Sequence, residues 1–419
     1  MKNLVRFGLA AAASVLALAA YEQGTQVNAA GGPVEAANGP YRVLAPIESG
    51  NLLLFPVVRA SGKPGVPGDG ISSLGWKSPG GTPFITLDEG IKTGDVEVTE
   101  AGRVQGLVRP RHGSPNMPGY PENSYRGDQV NTLVLVNNSK KPLLLLAGEI
   151  VTGGKQDRVI AKDRIVPAGD NPIDLSVFCI EPGRWTESSS TFGAAAKAPS
   201  HGFMVQPTVR QRAMVEKDQQ QVWASVHGAI SQMQMAAAPA ASPSMATGGF
   251  ANTTSYAKVM QSSAVSDKVD EAVAPVMQAR EQVLAKLREE HAVGVVVAVH
   301  GEIVWADLFA DTDLLSRYWT KLVRSYAAES LTDGDRHSAP SLADAQHFLD
   351  APAGGTETSE GNVGIYRYRE LKSASTETFV LESFLPGTNY DVHISKMKLS
   401  SDEHHAPKAH PIYSPQIYR

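Results

Sequence analysis

Apolar residues along this chain fall into two periods, and the switch between them outlines the architecture. Leu52-Leu53-Leu54-Phe55-Pro56-Val57-Val58 is a short continuous apolar run of the kind a buried strand carries. Phe84-Ile85-Thr86-Leu87, then Asp88-Glu89-Gly90-Ile91-Lys92, then Val96 to Glu100 predict a strand, a short turn or helix, and a strand. Val104 to Val108 extends this as a possible partner, and Arg109 to Asp128, rich in Pro and Gly, reads as a loop. Asn131–Val136 and Pro142–Leu146 flank Asn137 to Lys141 and predict a hairpin with a five-residue loop. A second turn at Thr152 to Lys155 leads back into Arg158-Val159-Ile160. Ile173, Leu175, Val177 and Cys179 alternate with Asp174 and Ser176, the period of a half-buried strand.

After Trp185 the period lengthens to that of a helix. Met214, Val215, Val222, Trp223, Val226, Ile230 and Met233 predict helix from about Val209 to Met235. The Ala-, Pro-, Ser- and Gly-rich stretch Ala236 to Thr254 reads as a flexible excursion, and a second helical zone, kinked or divided at Pro275, covers Ser266 to Glu290. Strand patterning returns at Val293–Val299 and Glu302–Trp305 around His300-Gly301. Leu314, Leu315, Tyr318, Trp319, Leu322, Val323 and Tyr326 then predict a helix capped by Asp311 or Thr312, whose aromatic stripe must lie on a sheet. Gly364–Leu371 with Glu377–Phe384 predicts another hairpin, and Asp391–Lys398 a last strand. The class is α+β: an antiparallel β-rich half, sandwich or barrel-like, packed with a helical half that adds a further hairpin. The expected segments are 30–185 (β-rich), 186–255 (helix and excursion), 256–399 (α+β, completing the same domain) and a 400–419 tail.

The first 29 residues stand apart. Lys2 and Arg6 precede an apolar run from Phe7 to Ala20, and Val27-Asn28-Ala29 offers a small-x-small cleavage site, the layout of an export signal. No later run approaches the length of a membrane span, so the expected location is periplasmic or secreted. The 419-residue chain carries 38 basic and 43 acidic residues for a net charge of −5, which supplies no basic stripe for nucleic acid. One cysteine, Cys179, excludes an intrachain disulfide, so burial must supply the stability.

Polar chemistry concentrates at the ends of the apolar strands. Glu149, Gln156, Asp157, Arg158, Glu181, Arg184 and Trp185 would converge if the strands carrying them are neighbours. Two carboxylates and two guanidiniums beside an indole suit a ligand site. Glu149 and Glu181 would then be the acid and base of a hydrolase, or Gln156, Asp157, Arg158, Arg184 and Trp185 would clamp a small molecule or glycan. The competing reading is structural: arginines and carboxylates satisfying one another at Gly turns. Gly153-Gly154-Lys155 lacks the spacing of a phosphate loop, and no cofactor signature is present. His404, His405 and His410 form a tail without paired ligand spacing, so no metal site is assigned. Cys179 shares a strand face with Leu175 and Val177 and reads as a buried, unreactive thiol.

Taken in order, Phe84 to Glu89, Glu149 to Arg158, Val177 to Trp185, and Val293 to Ala298 through Asp307-Leu308-Phe309 resemble the bacterial domain family associated with ADP-ribosylglycohydrolases and rhodanese-phosphatases. That resemblance spans about Tyr41 to Ser330 and implies no established mechanism. An exported ligand-binding or scaffold module is the expected function. The alternative is a hydrolase of a glycan or ADP-ribose-like substrate.

Overall fold

The computed structural model describes residues 40–59, 82–101, 132–169, 172–184, 186–194, 202–238, 253–278, 291–332 and 337–399, with isolated positions between 285 and 289. The export segment, Val104 to Val108, the Arg109–Asp128 loop, Trp185, most of the Ala/Pro/Ser excursion and the histidine tail lie outside them. Among the described residues, two antiparallel sheets, a small mixed sheet and seven α-helices make an α+β fold. No described helix is long and apolar enough to cross a membrane.

The largest sheet is built from both ends of the chain. Its strands β1 (Tyr41–Val43), β2 (Ile47–Ser49) and β3 (Leu52–Arg59) come from the first residues described. The others, β13 (Ala292–Val299), β14 (Glu302–Phe309), β15 (Thr356–Asn362), β16 (Tyr366–Lys372), β17 (Thr376–Ser383) and β18 (Tyr390–Lys398), come from the last. The order is β1-β3-β13-β14-β18-β17-β16-β15, with β2 continuing the β1 edge along β3. Strand β13 is apolar throughout because both of its faces are covered. Val295, Val297 and Val299 join the core under the helices, while Val296 and Ala298 join a second core on the opposite face.

On the first face lie α5 (Ser263–Gln278) and α6 (Thr312–Ser330), with α4 (Tyr256–Gln261) and α3 (Gln219–Ala237) packed on α5, α3 also against a second, barrel-like sheet, and the short α2 (Pro207–Gln211) preceding them. Helix α6 begins as its sequence dictates: Asp311 accepts a hydrogen bond from the Leu314 amide. It buries Leu315, Tyr318, Trp319, Leu322 and Tyr326 against β3, β13 and β14. The opposite face is covered by α7 (Leu342–Asp350), which carries a Ser341/Asp344 capping box. Gln346 of α7 hydrogen-bonds the Val43 amide and the Tyr41 carbonyl, which ties the helix to the broken edge strand.

The middle of the chain makes the other two sheets. Strands β5 (Val96–Glu100), β6 (Thr132–Asn137), β8 (Ile150–Gly153), β9 (Arg158–Ile160), β11 (Ile173–Cys179) and β12 (Phe192–Ala194) form a nearly closed, barrel-like sheet in the order β12-β8-β9-β11-β6-β5. Thr99 donates to the Ser190 carbonyl and draws its two end strands together. A small sheet, β10-β7-β4, joins β10 (Arg164–Val166), β7 (Leu143–Leu145) and β4 (Ile85–Thr86), and α1 (Leu87–Thr93) follows β4 behind a Thr86/Glu89 capping box.

Three sequence expectations change here. β6 and β7 are not a hairpin: β6 pairs with β5 and β11, β7 with β4 and β10. The Asn137 side chain accounts for the divergence, since its amide donates to the carbonyls of Lys141, Val166 and Pro167 and its carbonyl accepts from Ser139. That folds the connection onto the β10 end and sends β7 into the second sheet. The helix expected from Val209 is broken by a π-turn (Arg212–Glu216) ending at Lys217, which is left-handed at φ 54°. Helix α5 runs through Pro275 and is not divided there. Strand β15 carries no apolar alternation; α7 does carry an apolar stripe, Ala345, Phe348 and Leu349, and is an element the sequence analysis does not include.

A buried polar node joins these layers. Asp163, in the turn before β10, accepts from the Ala147 amide at 2.7 Å and faces His393 Nδ1 of β18 at 2.6 Å. On the other side of the ring, His393 Nε2 lies 3.2 Å from Asp307 of β14. Asp307 also receives Arg210 of α2 at 2.8 Å, Ser395 at 2.7 Å and Tyr326 of α6 at 2.5 Å. The Arg210 guanidinium stacks over Trp305 at 4.6 Å. Gly148, at φ 92°, leaves room for it: a Cβ there would stand 2.9 Å from the Arg210 side chain. Asp163, Asp307 and His393 are fully buried.

Burial alone would depress the His393 imidazole, but Asp163 and Asp307 outweigh it and raise its pKa to about 8. A raised histidine contributes stability in full below its unfolded value near 6.5, and that contribution is lost as pH rises through about 8. The span corresponds to about 2 kcal/mol. Melting temperature should therefore fall between pH 6.5 and 8.5. A His393→Gln variant, less stable at pH 6.5, should show a flatter pH profile over that window. Parallel profiles for the two proteins would show that His393 is not charged in the fold.

Candidate functional site

The expected polar residues separate into two clusters held by different cations. Glu149, where the chain enters β8, is buried; it accepts from the Leu146 amide at 2.8 Å and from Lys321 of α6 at 2.5 Å. Lys321 also reaches Asp88 of α1 at 2.7 Å. Burial opposes the Lys321 charge, yet Asp88 and Glu149 outweigh it and hold the ammonium protonated. This trio pins α1 and α6 to the strand ends.

Glu181, Asp157, Gln156 and Arg184 form the second cluster around the β8–β9 turn. Arg184 bridges Glu181 at 2.5 Å and Asp157 at 3.4 Å, and donates to the carbonyls of Gly153 and Gly154. Asp157 also accepts from the Gly153 amide and from Ser255, the cap of α4, while Gln156 donates to the Glu181 carbonyl. Burial and then the Glu181 carboxylate push the Asp157 carboxyl up. Arg158 is fully buried; it donates to the Gln156 carbonyl at 2.7 Å and approaches Glu100 at 3.9 Å. At Gly154, φ 49°, a Cβ would stand 2.2 Å from the Phe192 ring, so the turn closes against β12. Cys179 is buried, its thiol pushed up by burial, and its backbone exchanges two hydrogen bonds with the Gln219 side chain.

An open cleft lies elsewhere, on residues the motifs did not mark. It has a volume of about 450 Å³ between the barrel-like sheet, the π-turn and the β15–β16 edge of the large sheet. Phe178, Ala213, Met214 and Tyr368 give it apolar surface. Two ion pairs clasp its walls: Lys162 with Glu360 at 2.6 Å and Lys217 with Glu370 at 2.5 Å. The left-handed Lys217 ends the π-turn, a device frequent at functional sites. Tyr368 is 5% exposed, and its hydroxyl has no hydrogen-bond partner among the described residues. Burial first, and then Asp163, hold that phenol protonated far above neutral pH. Behind Glu370, the Glu377 carboxyl is pushed up to about 7 by burial and by Glu370. No sequence signal marks this cleft, because its facing charges lie about 150 to 200 positions apart in the chain.

A family model, the ARG and Rhodanese-Phosphatase-superfamily-associated Protein domain (ARPP-1), matches residues 40–397. No curated protein and no solved structure matches the chain.

The two motif clusters should behave as structural ties. Lys321→Met leaves the buried Glu149 beside Asp88 without its cation, an expected loss of about 3–5 kcal/mol in urea unfolding. Arg184→Ala should cost less, about 1–3 kcal/mol, because this guanidinium is 20% exposed and water can reach the carboxylates. An unchanged midpoint for Arg184→Ala would instead mark the guanidinium as available to a ligand.

Proposed function

The chain belongs to this domain family, and from that premise we propose that it is a ligand-binding module whose small-molecule ligand lodges in the cleft between Phe178, Met214 and Tyr368. The observation that carries the reading is the Tyr368 hydroxyl. A buried hydroxyl without a partner costs about 1–3 kcal/mol, and Tyr368, whose hydroxyl has none among the described residues, is one of the residues that line the cleft. A ligand acceptor would complete it. The volume falls within the ~300–1,000 Å³ typical of small-molecule sites, and the mixed lining of apolar residues with a few polar groups is of the same kind.

The strand-end cluster of Gln156, Asp157, Arg158 and Arg184 serves in this reading to hold the β8–β9 turn. A hydrolytic role for Glu149 and Glu181 finds no support in their surroundings, since each carboxylate is held by its own cation. We also propose that the module acts outside the cytoplasm, on the basis of the Lys2-to-Ala29 leader pattern.

Two measurements test the proposal. Thermal-shift screening with neutral saccharides, sugar phosphates, nucleotides and polyamines should yield a compound that stabilises the protein. The stabilisation should vanish in Ser359→Trp, where an indole on an exposed strand position blocks the cleft mouth. Stabilisation that persists in this variant would move the ligand elsewhere. For export, the intact mass of protein released by the host should correspond to cleavage near Ala29; retention of Met1 would refute it.

A further inference from the structure

We infer that the cleft selects an uncharged, polyhydroxylated ring, a sugar unit, in preference to ionic metabolites; this rests on the cleft being the ligand site. Charge sets the first constraint. The cleft lining holds two lysines and two glutamates, and each lysine already faces a glutamate across the opening. An anion that captured Lys162 or Lys217 would strand Glu360 or Glu370, and for Glu370 the stranded charge would stand beside Glu377. A cation drawn to the carboxylates would strand the lysines. Either exchange replaces one ion pair by another and leaves an uncompensated charge behind.

A hydroxyl group escapes this exchange because it donates and accepts at once. Adjacent hydroxyls of a sugar ring can take a hydrogen bond from the ammonium and give one to the carboxylate of the same Lys–Glu pair without separating them. The rim adds the hydroxyl side chains of Ser176, Thr358 and Ser359, all exposed. Phe178, 8% exposed, and the methylene stems of Lys162 and Lys217 offer the apolar surface that the C–H face of such a ring covers. Tyr368 completes the set. Its phenol keeps its proton, and its hydroxyl, buried and without a partner among the described residues, needs a small side-chain shift to donate to a ring or hydroxyl oxygen.

Lys162 and Glu360 are 28% and 52% exposed, Lys217 and Glu370 55% and 21%. Ion pairs this exposed to water contribute ~0–1 kcal/mol each, so the bias against an ionic ligand is a modest one, and the pairs stay closed beside a neutral ring.

Titration calorimetry and saturation-transfer NMR with maltose, cellobiose and diacetylchitobiose, against glucose 6-phosphate, AMP and spermidine, test the inference. At least one neutral sugar should bind, with affinity little changed between low and high salt because no ion pair is broken. Tyr368→Phe should weaken that sugar about tenfold while leaving the melting temperature unchanged or higher, since it removes an unpaired buried oxygen. Binding confined to glucose 6-phosphate, AMP or spermidine, and abolished by Ser359→Trp, would overturn the sugar class and leave the cleft as the ligand site. Sugar binding unaffected by both Tyr368→Phe and Ser359→Trp would place the sugar elsewhere and overturn the inference. Binding by none of the six compounds would overturn the inference and count against the cleft itself.

Discussion

The whole arrangement depends on Asp307, a carboxylate buried in the middle of the large sheet. An isolated charge in that position would be prohibitive, so it exists only because Arg210, His393, Ser395 and Tyr326 surround it. Those partners come from α2, from two positions on β18 and from α6. The far side of His393 extends the chain of contacts to Asp163, which belongs to the middle third of the sequence. Satisfying one carboxylate therefore fixes the helical layer and the barrel-like sheet against the large sheet. The Arg210 guanidinium stays charged because Asp307 outweighs the opposing effect of burial. Apolar burial supplies most of the stability but no direction. The node supplies direction, because only one placement of the layers satisfies all its members.

The sequence reading succeeded where the determining forces are local. Alternating or continuous apolar runs located β3, β11, β13, β14, β16, β17 and β18, and the stripe from Leu314 to Tyr326 located α6. It failed where a single side chain redirects the backbone. β6 and β7 looked like a hairpin because two apolar runs flank a polar turn; the pattern holds no sign that Asn137 would bind Val166 and Pro167. The fully exposed β15 carries no apolar alternation at all, and pairing with β16 alone defines it. The node was equally invisible, since Asp163, Arg210, Asp307 and His393 are dispersed through the chain and each looks ordinary in isolation.

The candidate site shows the same division in another form. Glu149 to Arg158 and Cys179 to Arg184 caught the eye because charges at Gly turns are unusual against apolar strands. Their geometry explains the pattern without a ligand. A turn that brings β8, β9, β12 and the start of α4 together leaves several backbone amides and carbonyls inside, and Asp157, Gln156 and Arg184 satisfy them. The family resemblance was carried largely by these stretches, which is to say by residues that define the fold. Recognition and activity need not share residues.

Tyr368 stands between these two kinds of polarity. Burial holds its phenol protonated, Asp163, Glu370 and Glu360 act in the same direction and Arg210 opposes them, and the residue also lines the cleft. Within the node every member is engaged by at least one charged or hydroxyl partner. Tyr368, next to it, keeps its ring stacked on Phe379, and its oxygen finds no partner among the described residues. Phenylalanine would pack there equally well and avoid the desolvation cost. A hydroxyl retained at a cost to folding, in a residue that lines the cleft, is the feature on which the proposed binding role rests.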